Sequence, residues 1–281
     1  MTRRQALNHA RELLATHKIE DASLEAELLL RHTLKLDRTQ FYTEPDSTLN
    51  KQQEETYWQF IERRIKGEPS AYITGHREFF GLDFYVDKNV LIPRPETELL
   101  VEQAIAHAGK YLNPLIVDVG TGCGNIAISL ATHLPQVKIY AIDISEAALK
   151  VARRNCLKHQ VGDRVKLLVG NLLEPTPTPV DLIIANLPYV LTADVPQVNT
   201  SGFEPHLALD GGSDGMAMIK RLCLQAKDKL QPDGCLLLEI GMGQSKIAAD
   251  FLQNLYPSAN IDIMSDFNGI ERVVCVTLPK H

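Results

Sequence analysis

The segment Asn186-Leu187-Pro188-Tyr189 follows directly after the apolar run from residue 180 to 185. That run is typical of a buried strand. A side-chain amide oxygen and the next backbone carbonyl can each accept one N–H of a planar NH2 group, which points the nitrogen lone pair at an electrophilic carbon. Pro188 would stiffen the turn and Tyr189 would stack on a flat substrate group. The segment therefore predicts a site that activates an amine or amide nitrogen.

A glycine-rich loop, Gly120-Thr121-Gly122-Cys123-Gly124, lies between an apolar strand and a predicted helix. In parallel α/β sheets, ligands bind where strands turn into helices. Asp143 ends the next predicted strand, and its carboxylate can accept both hydroxyls of a ribose. The spacing is GxGxG, whereas dinucleotide sites use GxGxxG, and no arginine near Asp143 would hold a second phosphate. These features favour S-adenosylmethionine, with its adenine beside Leu172 at the end of the third strand.

The elements that must position these residues follow an α/β pattern from residue 115 onward. Amphipathic segments separate the apolar runs LIVDVG, VKIYAID, VKLLVG, VDLIIAN and CLLLEIG. Runs that are apolar on both faces predict a parallel sheet covered by helices. In the tail, ANIDIMSDF and ERVVCVTL flank Asn268-Gly269 and predict an antiparallel hairpin at one sheet edge. The fold class is therefore α/β and Rossmann-like, with a seven-stranded, mostly parallel sheet.

The residues before this domain show helical spacing of apolar positions up to about residue 73. In the second helix, Leu24 and Leu28 are predicted to lie on the buried face, with Ser23 as its N-cap. Asn50 and Gln53 resemble a capping box for the third helix. The pattern predicts a small helical domain over residues 1–73.

Two connecting elements lead into the second domain. Phe79 and Phe84 flank a predicted Gly81-Leu82-Asp83 turn, which favours a β-hairpin within the linker 74–95. Pro95 suits the first turn of a helix through Leu99 and Ile105. The second domain is predicted to cover residues 96–281.

The composition excludes several classes of protein. The chain has 281 residues, 44% of them hydrophobic, and a formal net charge of −6. This balance opposes direct binding of bare nucleic acid, which needs clustered Lys and Arg. The five cysteines lack CxxC spacing and the nine histidines lack metal-ligand spacing, so no metal and a reducing, cytoplasmic location are expected. No signal sequence or membrane span is visible, so no membrane partner is expected.

The chain resembles the release factor glutamine methyltransferase family, also called HemK or PrmC. The matching segments span roughly residues 67 to 273 and are GEPSAYITGHREFFGLDFYVDKNVLIPRPETE, DVGTGCGNIAISLA, NLPY, FEPHLALDGGSDGM, LLLEIGMGQ and ERVV. The resemblance implies a helical N-terminal substrate-recognition domain joined by a β-hairpin to a class I S-adenosylmethionine-dependent methyltransferase. It also implies methylation of the glutamine amide in the Gly-Gly-Gln motif of peptide chain release factors, a step in translation termination.

Carried over by position, the family's motifs assign roles to individual residues. Residues Gly120 to Gly124 would hold the methionine part of the cofactor, Asp143 its ribose and Leu172 its adenine. Asn186 would touch both cofactor and glutamine, and residues through Tyr189 would bind and activate the amide. This chain departs from the family at Leu187, where proline is usual, and at Asn171, where an acidic residue is common. Because position 187 acts through its carbonyl, the chemistry is expected to survive.

Several alternatives stay open at this point. NLPY is also similar to the motif of ribosomal RNA adenine dimethyltransferases, although that family lacks LIPRPETE. A sister family methylates glutamine on a ribosomal protein. A nicotinamide oxidoreductase would use the same sheet, and a non-catalytic adaptor would bind the cofactor only to sense it.

Three further features have two interpretations each. Arg94 would either position a carboxylate of cofactor or substrate, or pair with Glu96 or Glu98. The loop at 203–206 would either close over the peptide or act as a plain cover. Cys123 is interpreted as a small filler and not a nucleophile, because no base is indicated beside it.

Overall fold

The computed structural model describes residues 1–177, 179–199 and 202–280. Contacts within the chain divide it into two compact units, residues 1–76 and 77–281. The division falls slightly later than the predicted end of the helical domain at residue 73. Among the described residues, no helix combines the length and the apolar character needed to cross a bilayer.

The first unit is helical. Its helices are α1 (Arg3–Thr16), α2 (Ala22–Leu34), α3 (Arg38–Thr43), α4 (Lys51–Ile65) and α5 (Ser70–Thr74). The predicted capping box is present at the start of α4, where the Asn50 side chain accepts from the Gln53 N–H at 2.9 Å and the Gln53 side chain accepts from the Asn50 N–H at 3.0 Å. Tyr57 and Ile61 of α4 are fully buried with Leu14 of α1. These apolar side chains form the core of the unit.

The prediction for α2 was wrong in two respects. The helix begins at Ala22 with Asp21 as its N-cap, so Ser23 lies inside the helix and caps nothing. Leu24 and Leu28 are 56% and 38% exposed, whereas Leu29 is fully buried. The segment LEAELLL carries leucines on more than one side, so the spacing alone could not identify the buried face.

The second unit contains a seven-stranded sheet and all of a hairpin except its first residue, His76. The hairpin pairs β1 (His76–Phe79) with β2 (Leu82–Tyr85). Its turn is Phe80-Gly81, both with positive φ, so the predicted Gly81-Leu82-Asp83 turn was placed one residue too late. Two residues of positive φ match the right-handed twist of the strands they connect.

The seven-stranded sheet has the order β5-β4-β3-β6-β7-β9-β8. Its strands are β3 (Leu115–Val119), β4 (Lys138–Asp143), β5 (Val165–Val169), β6 (Val180–Ala185), β7 (Leu230–Glu239), β8 (Asn260–Ser265) and β9 (Glu271–Thr277). The first five strands are parallel, whereas β9 pairs antiparallel with β7 and with β8. The prediction of a parallel sheet with an antiparallel hairpin at one edge is confirmed.

Helices cover both faces of this sheet. They are α6 (Thr97–Ala108), α7 (Asn125–His133), α8 (Glu146–Lys158), α9 (Val195–Val198), α10 (Ala217–Ala226) and α11 (Ser245–Leu255), with a 3-10 turn at His206–Ala208. Ile116 of β3 belongs to the apolar core on one face, and Val117 to the core on the other. Burial on both faces explains why the strand sequences are apolar without alternation.

The order of the strands determines where a ligand can bind. From β3 the chain proceeds outward through β4 to β5, then returns to add β6 on the other side of β3. The loops that leave β3 and β6 therefore diverge, and they open a crevice at the carboxyl ends of these strands.

Candidate active site

A cavity occupies this crevice. The predicted site residues that line it are Gly120, Thr121, Gly122, Cys123, Asp143, Leu172, Asn186, Leu187 and Pro188. Gly124 and Tyr189 are not among its lining residues. The structure thus brings most of the predicted cofactor and substrate residues together, although they come from four strand ends.

The glycine loop is held in place by its own backbone. The N–H groups of Gly120 and Thr121 both donate to the Ile142 carbonyl, at 2.8 and 2.9 Å, which ties the loop to β4. Gly120 has φ +75°, and a Cβ there would lie 3.0 Å from a methyl group of Leu187. Gly124 has φ +85° as the N-cap of α7, where a Cβ would lie 2.9 Å from Ile128. Gly124 therefore shapes the loop without lining the cavity.

Asp143, the last residue of β4, also lines the cavity. Its two carboxylate oxygens accept from the Gly122 N–H at 2.9 Å and the Ser145 N–H at 2.8 Å. Burial raises the pKa of this carboxyl, and hydrogen bonding from the Ser145, Gly122 and Ile144 N–H groups opposes that rise. Each oxygen accepts one of these bonds and keeps a further lone pair, so the carboxylate can still accept hydroxyl groups from a ligand.

Asn155 holds the glycine loop and was missed by sequence reasoning. Its Nδ2 donates to the carbonyls of Cys123 and Tyr85, both at 2.9 Å, and its Oδ1 accepts from the Tyr85 N–H at 2.8 Å. The residue is fully buried in α8. A polar residue on the apolar face of an amphipathic helix was the available signal.

Two buried side chains, Cys123 in the loop and Asp118 near the end of β3, have raised pKa values. Burial raises the pKa of the Cys123 thiol to about 12, which fits the prediction that it is a filler and not a nucleophile. Burial also raises the pKa of Asp118 to about 7. Asp118 accepts from the Thr121 hydroxyl at 2.6 Å and the Ala127 N–H at 3.2 Å, so it fixes the start of α7 under the loop.

Asn186 is the first residue after β6 and reaches the cavity with a defined orientation. Its Nδ2 donates to the Thr97 hydroxyl at 3.0 Å. Because the nitrogen is engaged there, the side-chain oxygen is the end available to a ligand. Thr97 is 1% exposed at the start of α6 and also lines the cavity. Sequence reasoning noted the flanking glutamates but missed Thr97.

Glu239 has a buried carboxyl group and lies close to Thr97. The side chain is 1% exposed at the end of β7, and burial raises its pKa to about 7. Hydrogen bonding from Thr97 and Tyr189 opposes that rise, the Tyr189 hydroxyl lying 3.3 Å from Oε1. The second oxygen, Oε2, has no hydrogen-bond partner among the described residues. The signal in the sequence was a lone acidic residue within the run CLLLEIG.

Tyr189 is fixed from several sides. Its carbonyl accepts from Gln244 Nε2 at 2.9 Å, and a Cβ on Gly241 would lie 3.1 Å from its ring. Burial raises the pKa of its hydroxyl, which points to Glu239. The predicted stacking on a substrate stays a prediction.

The unusual Leu187 packs behind the glycine loop. Its side chain is 4% exposed and lies against Gly120. Leu187 also lines the cavity, and the role of its backbone carbonyl as an acceptor stays a prediction.

Arg94 pairs with neither of the glutamates that sequence reasoning named. Its guanidinium lies 2.6 Å from Glu204 in the segment after α9, so pairing with Glu96 or Glu98 was wrong. Glu204 also accepts from the Ile92 N–H at 3.2 Å. Arg94, Pro205 and Leu207 all line the cavity, so this ion pair joins two segments of its wall. The proline-flanked position of Arg94 carried no signal of a partner so distant in sequence.

The sheet order, the glycine loop and the polar strand ends together define a Rossmann-like α/β methyltransferase. The family described as "PrmC N-terminal domain" matches residues 5–75, and "Methyltransferase small domain" matches residues 95–200. The chain belongs to the release factor glutamine methyltransferase family, and the predicted resemblance is confirmed. This membership rules against the nicotinamide oxidoreductase alternative.

Two curated relatives carry the name release factor glutamine methyltransferase and match nearly full length. The one from Koribacter versatilis is 41% identical over 278 residues, which cover 98% of both chains. The one from Moorella thermoacetica is 40% identical over 274 residues, which cover 97% of both. Among solved structures, a methyltransferase from Pyrococcus furiosus has a TM-score of 0.53 at 16% identity, covering 71% of this chain and 90% of that one. That likeness concerns the fold alone.

Proposed function

We propose that this enzyme transfers the methyl group of S-adenosylmethionine to the side-chain amide nitrogen of glutamine in the Gly-Gly-Gln motif of peptide chain release factors. The family membership supports the reaction class. The observation that carries the proposal is the orientation of Asn186, whose nitrogen is bound to Thr97 so that its oxygen is available in the cavity. An amide oxygen held in this way is a hydrogen-bond acceptor for an NH2 group.

The cavity has the donors, acceptors and apolar surface that S-adenosylmethionine needs. Asp143 would accept the ribose hydroxyls with its remaining lone pairs. Leu172 and the 55% exposed Ile144, both of which line the cavity, would flank the adenine. The loop from Gly120 to Gly124 would hold the methionine portion. When bound, the cofactor supplies a methyl carbon that its sulfonium makes electrophilic.

The chain's own residues would then prepare the nucleophile. The Asn186 oxygen and the Leu187 carbonyl each accept one N–H of the glutamine amide. These bonds draw the nitrogen lone pair out of conjugation and align it with the methyl carbon. The nitrogen becomes acidic as it gains the methyl, so its proton can pass to water. Pro188 keeps the two acceptors in register, because its ring fixes the backbone.

Thr97 and Glu239 act as positioning residues in this proposal. The Thr97 hydroxyl accepts from Asn186, and Thr97 lies close enough to the Glu239 carboxyl to oppose the rise in its pKa. A chain of donors from Asn186 through Thr97 to Glu239 would keep the amide nitrogen pointing away from the substrate. A half-turn rotation of the Asn186 amide would place its NH2 group beside the substrate NH2. Both groups are donors, so the hydrogen bond between them would be lost.

The helical region of residues 1–73 is proposed to recognise the release factor. It has its own core, and its exposed apolar side chains include Leu24 and Leu28 on α2. Exposed apolar residues of this kind are suited to contact with a protein partner.

The test is direct. The purified protein is incubated with methyl-labelled S-adenosylmethionine and a purified release factor, and the modified residue is mapped by mass spectrometry. We expect label on the glutamine of the Gly-Gly-Gln motif, and none on a release factor in which that glutamine is replaced. Parallel incubations contain ribosomal RNA, DNA and ribosomal proteins. Label on a ribosomal protein or on an adenine of RNA or DNA, with none on the release factor, would contradict the proposal.

A further inference from the structure

Three side chains with metal-ligating atoms converge away from the cavity. Cys235 Sγ lies 3.2 Å from Cys275 Sγ, and Cys275 Sγ lies 3.4 Å from His107 Nε2. The three ligand atoms all lie within 4.8 Å of one another. Both cysteines are 1% exposed, and the histidine is half-buried.

The fold creates this cluster from residues that are far apart in sequence. On the antiparallel pair β7 and β9, Cys235 lies opposite Thr277, and Cys275 lies opposite Leu237. The two cysteines are therefore diagonal neighbours on one face of the sheet. His107 comes from the last turn of α6, which packs on that face. Because the ligands lie on two strands and a helix, no CxxC or similar spacing exists to reveal them, and the sequence predicted no metal.

We propose that His107, Cys235 and Cys275 form a binding site for one Zn²⁺-like divalent cation. Two thiolates and an imidazole are a donor set that zinc accepts, with a fourth position left for a further oxygen ligand. Bond lengths of about 2.3 Å to sulfur and 2.1 Å to nitrogen imply a separation of about 3.8 Å between sulfurs in tetrahedral geometry. The observed sulfur separation of 3.2 Å is shorter by about half an ångström, so small side-chain rotations would admit the ion.

The charge of the two thiolate ligands favours a divalent ion over a monovalent one. Two thiolates neutralise a charge of +2, and a neutral cluster avoids the cost of burying net charge. A monovalent ion would leave one negative charge buried. The two thiol protons pass to water as the sulfur–metal bonds form. Two residues of opposite charge lie at the edge of the cluster. Asp262 lies opposite Cys275 on β8, and Lys110 lies beside His107, so their charges cancel.

The imidazole would bind through Nε2, which already faces Cys275. The imidazole proton then resides on Nδ1. Lys110 Nζ lies 3.3 Å from Nδ1, and because both groups would be donors, the lysine would have to move away. Lys110 is exposed, so its side chain can swing into solvent. The Thr277 hydroxyl, 3.7 Å from Cys275 Sγ, lies within reach of the fourth position.

An ion at this site would join α6, β7 and β9. It would stabilise the second unit because it binds the folded chain and not the unfolded one. The site does not depend on the proposed methyl transfer.

The experiment uses the full chain, freed of metal and kept reduced with a phosphine. Cd²⁺ is titrated while the thiolate-to-metal charge-transfer absorption is recorded, and Zn²⁺ is then added as a competitor. We expect a band that saturates at one equivalent and is displaced by Zn²⁺. Cys235→Ser and Cys275→Ser should abolish the band and His107→Gln should weaken it. Cys223→Ser, which alters another buried cysteine, should retain it in full.

Two measurements keep the result decisive if a variant folds poorly. The ¹¹³Cd resonance of the wild-type protein should have the shift of a site with two sulfurs and one nitrogen. Zn²⁺ should raise the unfolding temperature of wild type and of Cys223→Ser. Absence of the band in wild type, a resonance without sulfur character, or a full band in Cys235→Ser would each overturn the proposal. A Cys235–Cys275 disulfide that persists under the phosphine and blocks the ion would overturn it too.

Discussion

The side-chain nitrogen of Asn186 lies 3.0 Å from the hydroxyl oxygen of Thr97. Asn186 follows β6 and Thr97 begins α6, so the packing of this helix on the sheet decides which end of the amide faces the cavity. Thr97 also lies close enough to the buried Glu239 at the end of β7 to oppose the rise in the pKa of that carboxyl. Three elements thus fix the orientation of one amide group, and each of the three residues can be tested separately.

Replacement of Asn186 tests its assigned role as an acceptor. Asn186→Ala should keep the dissociation constant of S-adenosylmethionine within about tenfold, or about 1.4 kcal/mol, because other residues hold the cofactor. Turnover should be abolished, because one of two acceptors is lost where the nitrogen lone pair must be aligned. Calorimetric binding and label transfer to the release factor measure the two quantities. Normal turnover would refute the assigned role of Asn186.

Replacement of Thr97 tests the positioning role. Thr97→Val keeps the shape of the side chain but removes the hydroxyl, and it removes the acceptor of the half-buried Asn186 nitrogen. A loss of about 1–3 kcal/mol corresponds to a fall in kcat of about 5- to 150-fold. Cofactor affinity should be unchanged.

Thr97→Ser is the matched control. It restores the hydroxyl and lacks only a methyl group, so it should recover most of kcat. Equal losses in the Val and Ser variants would mean that Thr97 acts through packing and not through its hydrogen bonds.

Replacement of Asp143 tests the cofactor site. In Asp143→Ala the bonds to the Gly122 and Ser145 N–H groups and the proposed ribose contacts are all lost. Hydrogen bonds to a charged group contribute about 1.5–3 kcal/mol each, so the dissociation constant of S-adenosylmethionine should rise at least tenfold. The KM for the release factor should change little. Unaltered cofactor affinity, measured by calorimetry, would show that the ribose lies elsewhere.

Glu239 should make stability depend on pH. Its folded-state pKa is raised to about 7 by burial, whereas an unfolded glutamate titrates near pH 4.5. Between these values the unfolded chain has lost the proton that the folded chain retains, so the free energy of unfolding falls as pH rises. The cost reaches about 3 kcal/mol above pH 7 and vanishes below pH 4.5.

Glu239→Gln isolates this effect because it removes the titrating group and nearly keeps the volume. The difference in unfolding free energy between variant and wild type should grow in favour of the variant from pH 4.5 to 7 and be constant above. Urea unfolding at a series of pH values measures it. Asp118 titrates in both proteins, so its contribution cancels. A difference that does not change with pH would show that Glu239 is charged throughout this range.

The site was predictable where it follows from local pattern. The apolar strands placed Gly120, Asp143 and Asn186 at sheet ends, and the parallel order then brought these ends together. Thr97 and Glu239 were not predictable, because their importance comes from a contact with a residue on another element and not from their own surroundings in sequence. The same limit applies to the Arg94–Glu204 pair. In α2 the failure was different, since leucines around the helix left the buried face ambiguous.

That ambiguity leaves two exposed leucines whose role can be tested. Leu24 and Leu28 are 56% and 38% exposed, so replacing both with serine should change the free energy of unfolding little. If the helical region recognises the release factor, the double variant should raise the KM for the release factor while kcat and cofactor affinity stay unchanged. Leu224→Ser is the matched control, because Leu224 is also a helical leucine, 55% exposed, but lies in the methyltransferase unit. Steady-state kinetics with varied release factor measure the effect, and equal KM values for all three proteins would mean that these leucines do not contact the substrate.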